Sequence, residues 1–290
     1  VTLPGVKAAL PGISGNVRFL VQTDQPEKIR NALGNLAADI RIKKPVIERD
    51  PYHSLGAAHR EALELAAEGE CIAFINADMV PSIECFAAAE HQFNHGKRLI
   101  MMAATSTVAD DIPPIGVSAS ELLVWTMQHR HPSVIERFWD EGHCACPFTI
   151  YFRRGEDIVM RAFHLHPFSL IKDRSIDFGT TIDNELVSSY ARDEIHIVTG
   201  SGEAAFAEVS PRVPGWGNLP LMADKMSVGS VAKWASDKDE NFPTRRHTNP
   251  MHRWMFEHQI AICGNRVDIG DHEICTQILA AARNDDFQQC

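Results

Sequence analysis

The apolar run Cys71, Ile72, Ala73, Phe74, Ile75 ends on Asn76 and Asp78, an amide and a carboxylate two positions apart. In an extended segment residues i and i+2 point the same way, so both oxygen-bearing side chains face one site. A continuous apolar run of this kind is what a strand covered on both faces of an α/β sheet looks like, and ligands bind beyond the C-terminal ends of such strands. The competing reading is an ordinary turn in which Asp78 caps a following helix. HLHP (164–167) puts His164 and His166 on one face if extended, and histidine is the commonest metal-binding side chain. RRHTNPMHRW (245–254) sets His247 and His252 beside Arg245, Arg246 and Arg253, which equally describes a solvated basic face.

The elements that must position these groups are legible from periodicity. After a Pro/Gly-rich lead, NVRFLVQTD (16–24) reads as a buried strand ending on Gln22, Thr23 and Asp24, and QPEKIRNALGNLAA follows as a helix with Pro26 in its first turn. IRIKKPVIE (40–48) is a weaker strand, placed near an edge by Pro45. SLGAAHREALELAAEG is an amphipathic helix closed by Gly69, and it leads directly into the 71–75 run. Pro81 opens the next helix, which stops at Gly96, and RLIMMAATS (98–106) is again strand-like. This alternation predicts a parallel sheet. Further on, helices cover SASELLVWTMQHRHPSVIERFWDEG. TIYFRR (149–154), EIHIVTG (194–200) and AAFAEVS (204–210) read as strands, and FHLHPFSLIKD leads from the first of them into SIDFGTTIDNELV. MHRWMFEHQIAI and HEICTQILAAA are helical stretches. The expected class is α/β, with one domain over 16–213 and a C-terminal loop and mainly helical extension over 214–290.

Composition narrows the function. A formal charge of −10 leaves no basic field for non-specific nucleic-acid binding, so no nucleic-acid partner is expected. With 44% hydrophobic and 23% charged residues the chain is of ordinary globular make-up. The seven cysteines, an odd set without a C-x-x-C pair, read as reduced thiols. No run approaches the ~18 apolar residues of a membrane helix, and the opening VTLPGVKAALPGISG lacks the features of a signal peptide. The expectation is a cytoplasmic protein, free or peripheral to the inner face of a membrane.

The stretch SLGAAHREALELAAEGECIAFINADMVPS (54–82) resembles a segment of GT-A glycosyltransferases, notably the large inverting family-two group. There a small-residue helix leads into a strand ending on an acidic D-A-D motif. The resemblance is close over 54–82 and loose in the order of elements from 16 to about 210. It implies a Rossmann-like α/β/α sandwich, a nucleotide-diphosphate sugar as donor, and manganese or magnesium. Asp78 matches the last acidic position, the usual metal ligand, and Ala77 the middle. Asn76 stands where the first acidic residue is expected, and its amide can still hydrogen-bond ribose or a metal-bound water. IERDPYHS occupies the place of the acidic stretch that in the family follows the second strand and contacts the base.

TTIDNELV (180–187) resembles the acidic segment that supplies the family's base, which makes Asp183 the first candidate for deprotonating an acceptor hydroxyl and Glu185 the second. Thr180 followed by Asp183 also fits a capping box. By position in the fold, the resemblance makes Thr23 and Asp24 candidates for contacting the nucleotide. It also implies that a late histidine, His166 or His247, completes the metal site and that Arg245 and Arg246 cover the diphosphate, while Trp216 is a candidate acceptor wall.

The chemistry is coherent, because cleaving a sugar from a diphosphate leaves negative charge that a hard cation stabilises. The leading expectation is a metal-dependent glycosyltransferase acting on a glycan or other hydroxyl acceptor, as in polysaccharide biosynthesis. A nucleotidyltransferase also places acidic metal ligands at strand ends, but QTDQPEKIRNALGN lacks its glycine-rich basic loop. A degenerate GT-A binding or scaffold module is favoured by Asn76 and by the missing acidic stretch.

Overall fold

The computed structural model describes residues 2–23, 25–34, 40–43, 51–144, 146–176, 182, 186–210, 225–236, 250–264 and 270–288. In chain order the elements are Thr2–Ala9 (α1), Phe19–Gln22 (β1), Pro26–Leu33 (α2), Ile40–Lys43 (β2), Pro51–Leu65 (α3), Cys71–Ala73 (β3), Met79–Pro81 (β4) and Cys85–Asn94 (α4). Leu99–Met102 (β5), Ala104–Val108 (β6), Ala119–Gln128 (α5), Pro132–Ile135 (α6), Thr149–Arg154 (β7), Asp157–Ala162 (β8) and His166–Ile171 (β9) follow. Ile195–Ile197 (β10), Phe206–Ser210 (β11), Val228–Ser236 (α7), Pro250–Phe256 (α8), Ile260–Cys263 (β12) and Asp271–Gln288 (α9) complete the order. The chain is therefore mixed α/β, as its alternation predicts.

The sheets are mixed rather than parallel. β1 and β2 pair in parallel, with Phe19 opposite Ile40. A four-stranded sheet runs β10-β5-β9-β3, in which β10 and β5 are parallel while β9 is antiparallel to both β5 and β3. A third sheet, β4-β11-β6, has β11 parallel to β6 and antiparallel to β4. β12-β8-β7 is antiparallel throughout. The FHLHPFSLIKD stretch, to which the sequence pattern assigns no element, holds β9, the strand that breaks the parallel order. Pro167 disguises it, since proline cannot donate to a ladder. It is accommodated because the register of β5 on β9 shifts between Ile100 and Met101, opposite the proline.

Four further boundaries differ from expectation. Pro81 ends β4, an edge strand that tolerates it, and the helix begins only at Cys85. RLIMMAATS divides into β5 and β6, which belong to separate sheets. The helix over MHRWMFEHQIAI ends at Phe256, and IAI enters β12, which pairs with β8. Gly69 does not close its helix, which ends at Leu65: at φ 84° it takes a conformation that favours glycine in the separate turn leading into β3, where its N–H donates to the Lys172 carbonyl at 2.7 Å.

Burial follows from this layering. Leu99, Met101, Leu122, Phe138 and Tyr151 lie in a central core, while Ile150, Val159 and Phe163 pack with Val231 and Ile278 of α7 and α9 in a second one. Each such side chain contributes about 1.5–3 kcal/mol of transfer free energy. A buried ion pair ties α9 to β8: Arg161 Nε donates to Asp271 Oδ2 at 2.5 Å, both side chains being at most 4% exposed. Gln259 Nε2 donates to the other Asp271 oxygen at 3.0 Å, and a second Arg161 nitrogen donates to the Glu257 carbonyl.

Candidate functional site

The chain leaves β3 through a turn closed by Met79 N–H donating to the Asn76 carbonyl at 3.1 Å. α1 holds this turn from outside, because the Thr2 hydroxyl donates to the Ala77 carbonyl at 2.5 Å. That approach depends on Gly5, where a Cβ would lie 3.0 Å from Pro81 Cδ and 3.1 Å from Val80 Cγ1. Asp78 is then fixed from inside: its carbonyl accepts the Val209 N–H of β11 at 2.7 Å. Asp78 is followed by β4, not by a helix, so it caps none. The residue preceding α4 is Glu84, which makes no cap and instead accepts the Ala119 N–H at 3.0 Å.

Pairing of β11 with β4 and β6 puts Glu208 opposite Met79 on one side and Ser106 on the other. A second carboxylate thus sits one residue across the sheet from Asp78. Glu208 accepts the Ser106 hydroxyl at 3.3 Å and the Ser210 hydroxyl at 3.2 Å. Burial, and then the negative charge of Asp78, push the Glu208 carboxyl above its ordinary value, against the pull of Ser210, Arg137 and Ser106. Burial likewise raises Asp78, opposed by its own backbone N–H and by His166.

His166 opens β9 beside the C-terminal end of β3. Its Nε2–H donates to the Phe74 carbonyl at 3.1 Å, and its ring meets the edge of Phe206 at 6.3 Å. An antiparallel β9 is what delivers it: a parallel strand in that position would put its first residue at the far end of the sheet. A histidine that ligates a metal typically donates its other ring N–H to a carbonyl or carboxylate, as His166 does.

Two raised carboxyls and an imidazole can share a proton or bind a hard cation that relieves their repulsion. Among the described residues no group of three or more His, Cys, Asp and Glu side chains is disposed to hold a metal ion. A cation here would draw part of its shell from Asp78, with Glu208 and His166 beside it, and the rest from ligand oxygens.

Of the residues singled out from sequence, Asn76, Asp78 and His166 meet around the end of β3. Thr23 accepts the Gln25 N–H at 3.0 Å, a local turn at the start of α2, and among the described residues no hydrogen bond joins it to Asn76 or Asp78. Asp24, Asp183, Glu185, Trp216, Arg245, Arg246 and His247 lie outside the described residues. His252 is fully buried, its ring 6.3 Å from that of His164, and so belongs to the interior rather than to a solvated basic face. Glu208 escaped the sequence reading, although a lone carboxylate inside AAFAEVS is a usable signal, because burying a charge in a central strand is costly without partners.

A cavity of about 580 Å³ opens elsewhere, between β10 and α8, lined in part by Lys97, Arg192, His196, Trp254 and His258. Its polar groups are already engaged within the protein. Lys97 donates to the Asp193 carbonyl at 2.8 Å, Arg192 donates to the Pro250 carbonyl at 3.2 Å, and His196 meets Glu203 at 2.5 Å.

Comparison of the chain with protein-family models, with curated proteins and with solved structures returns no match. Among the described residues no helix is long and apolar enough to cross a membrane.

Proposed function

We propose that this protein is a metal-dependent glycosyltransferase of the GT-A type, moving a sugar from a nucleotide-diphosphate donor to a glycan or other hydroxyl acceptor. The observation that carries the reading is the convergence of Asp78, Glu208 and His166 at the C-terminal end of β3, with Asp78 capping no helix. Asp78 would supply an oxygen to manganese or magnesium, with Glu208 and His166 beside it and the diphosphate oxygens completing the shell, and the ion would neutralise charge on the departing diphosphate. The turn held by Thr2 keeps Asp78 in place, and Ser106 and Ser210 orient Glu208. Asn76 offers an amide for ribose or for a metal-bound water. Asp183, or Glu185 in its absence, takes the acceptor proton.

Asn76 in the first motif position favours one second reading, a module that binds a nucleotide sugar without turning it over. Donor hydrolysis without acceptor, followed with and without manganese, separates the two. Manganese-dependent release of nucleoside diphosphate is expected of the transferase, and saturable binding without release is expected of the module.

A further inference from the structure

Phe138 carries an arrangement that the acidic site does not use. One face of its buried ring stacks on Tyr151, with centroids 5.3 Å apart and planes 24° from parallel. The guanidinium carbons of Arg130 and Arg153 lie 5.2 Å and 4.7 Å from the same centroid. Both cations therefore approach the same ring. Arg130 is brought there by an antiparallel bridge to Thr107 at the end of β6, and Arg153 by the end of β7.

Among the described residues neither guanidinium has a hydrogen-bond or ion-pair partner. Burial and then the charge of Arg153 disfavour the protonated form of Arg130, and only Glu141 opposes them. Two like charges held over one ring raise the free energy of the empty site, and an anion between them lowers it.

We propose that Arg130 and Arg153 form a binding site for a phosphate group. A guanidinium is a planar fork that engages two oxygens at once. Phosphate presents enough oxygens and charge for two such forks, whereas a carboxylate presents two oxygens and fills one. Arg137, next to Phe138 in sequence, is a cation within electrostatic reach of Glu208, and the proposed phosphate site does not depend on it. It stands whether or not sugar transfer is the reaction. Within that reading, the phosphate belongs either to the donor or to a phosphorylated acceptor.

The test is calorimetric titration with inorganic phosphate in EDTA, using wild type, Arg153→Gln and Asp78→Ala. Arg153 is exposed, so its substitution leaves the fold intact, and circular dichroism checks this. Wild type and Asp78→Ala are expected to bind equally, with Arg153→Gln at least about tenfold weaker and acetate unable to compete. In a parallel titration with magnesium in place of EDTA, displacement of phosphate by a nucleoside diphosphate assigns the site to the donor, and retention assigns it to an acceptor. Absence of phosphate binding by wild type, equal binding by Arg153→Gln, or equal competition by acetate overturns the proposal.

Discussion

Asp78 and Glu208 are neighbours across two strands: Met79 pairs with Glu208, and the Asp78 carbonyl accepts the N–H of Val209 at 2.7 Å. Both carboxyls are raised above their ordinary values of 3.8 and 4.5, so in the folded protein each holds its proton to higher pH than in the unfolded chain. Stability from this pair is therefore complete below those ordinary values and is lost as pH rises through the raised folded values. Glu208→Gln keeps the shape and removes the charge. Its melting temperature is expected to exceed that of wild type near neutral pH, with the difference closing in acid; a scanning-calorimetry series that widens toward acid contradicts the assignment.

His166 connects β9 to the end of β3 through the Phe74 carbonyl. His166→Ala removes that donor and is expected to cost about 1 kcal/mol in urea unfolding. Manganese affinity, read by electron paramagnetic resonance, is expected to fall at least about tenfold. Unfolding cost without loss of affinity would make His166 structural only.

The Arg161–Asp271 pair predicts a larger stability effect away from the site. Asp271→Ala leaves a buried guanidinium without its counter-charge and is expected to cost about 3–5 kcal/mol in denaturant unfolding. An Arg161→Met/Asp271→Leu double variant should lose less, because no charge remains buried. Equal losses would show that packing, not charge, holds α9 to β8.

Asp183→Asn and Glu185→Gln test the base. The responsible substitution is expected to lower transfer by about two to four powers of ten while donor binding is retained. A parallel loss of donor affinity points to a helix cap instead.

The legible parts of the fold were those written in local pattern. Gly96 marked a helix end, and the apolar runs marked β1, β3 and β5. Pairing was not local. Nothing around residue 166 announces that its strand inserts antiparallel between β3 and β5, and Pro167 argues against a strand at all. Asp78 was visible because a carboxylate ends an apolar run. Its partner Glu208 lies 130 positions later in the chain and becomes a neighbour only through the β4–β11 pairing. The helix-cap reading of Asp78 failed for the same reason, since β4 is three residues long and too short to register as periodicity.

The most direct measurement of the central claim is calorimetric titration of nucleoside diphosphates into wild type and Asp78→Ala, with manganese and with EDTA. Binding by wild type is expected to require manganese and to be abolished in Asp78→Ala, with transfer lowered about a hundredfold, or roughly 3 kcal/mol. Asn76→Ala should cost less, as an amide is the weaker oxygen ligand. Nucleotide binding that persists in EDTA and is unchanged by Asp78→Ala would contradict a cation site at the end of β3.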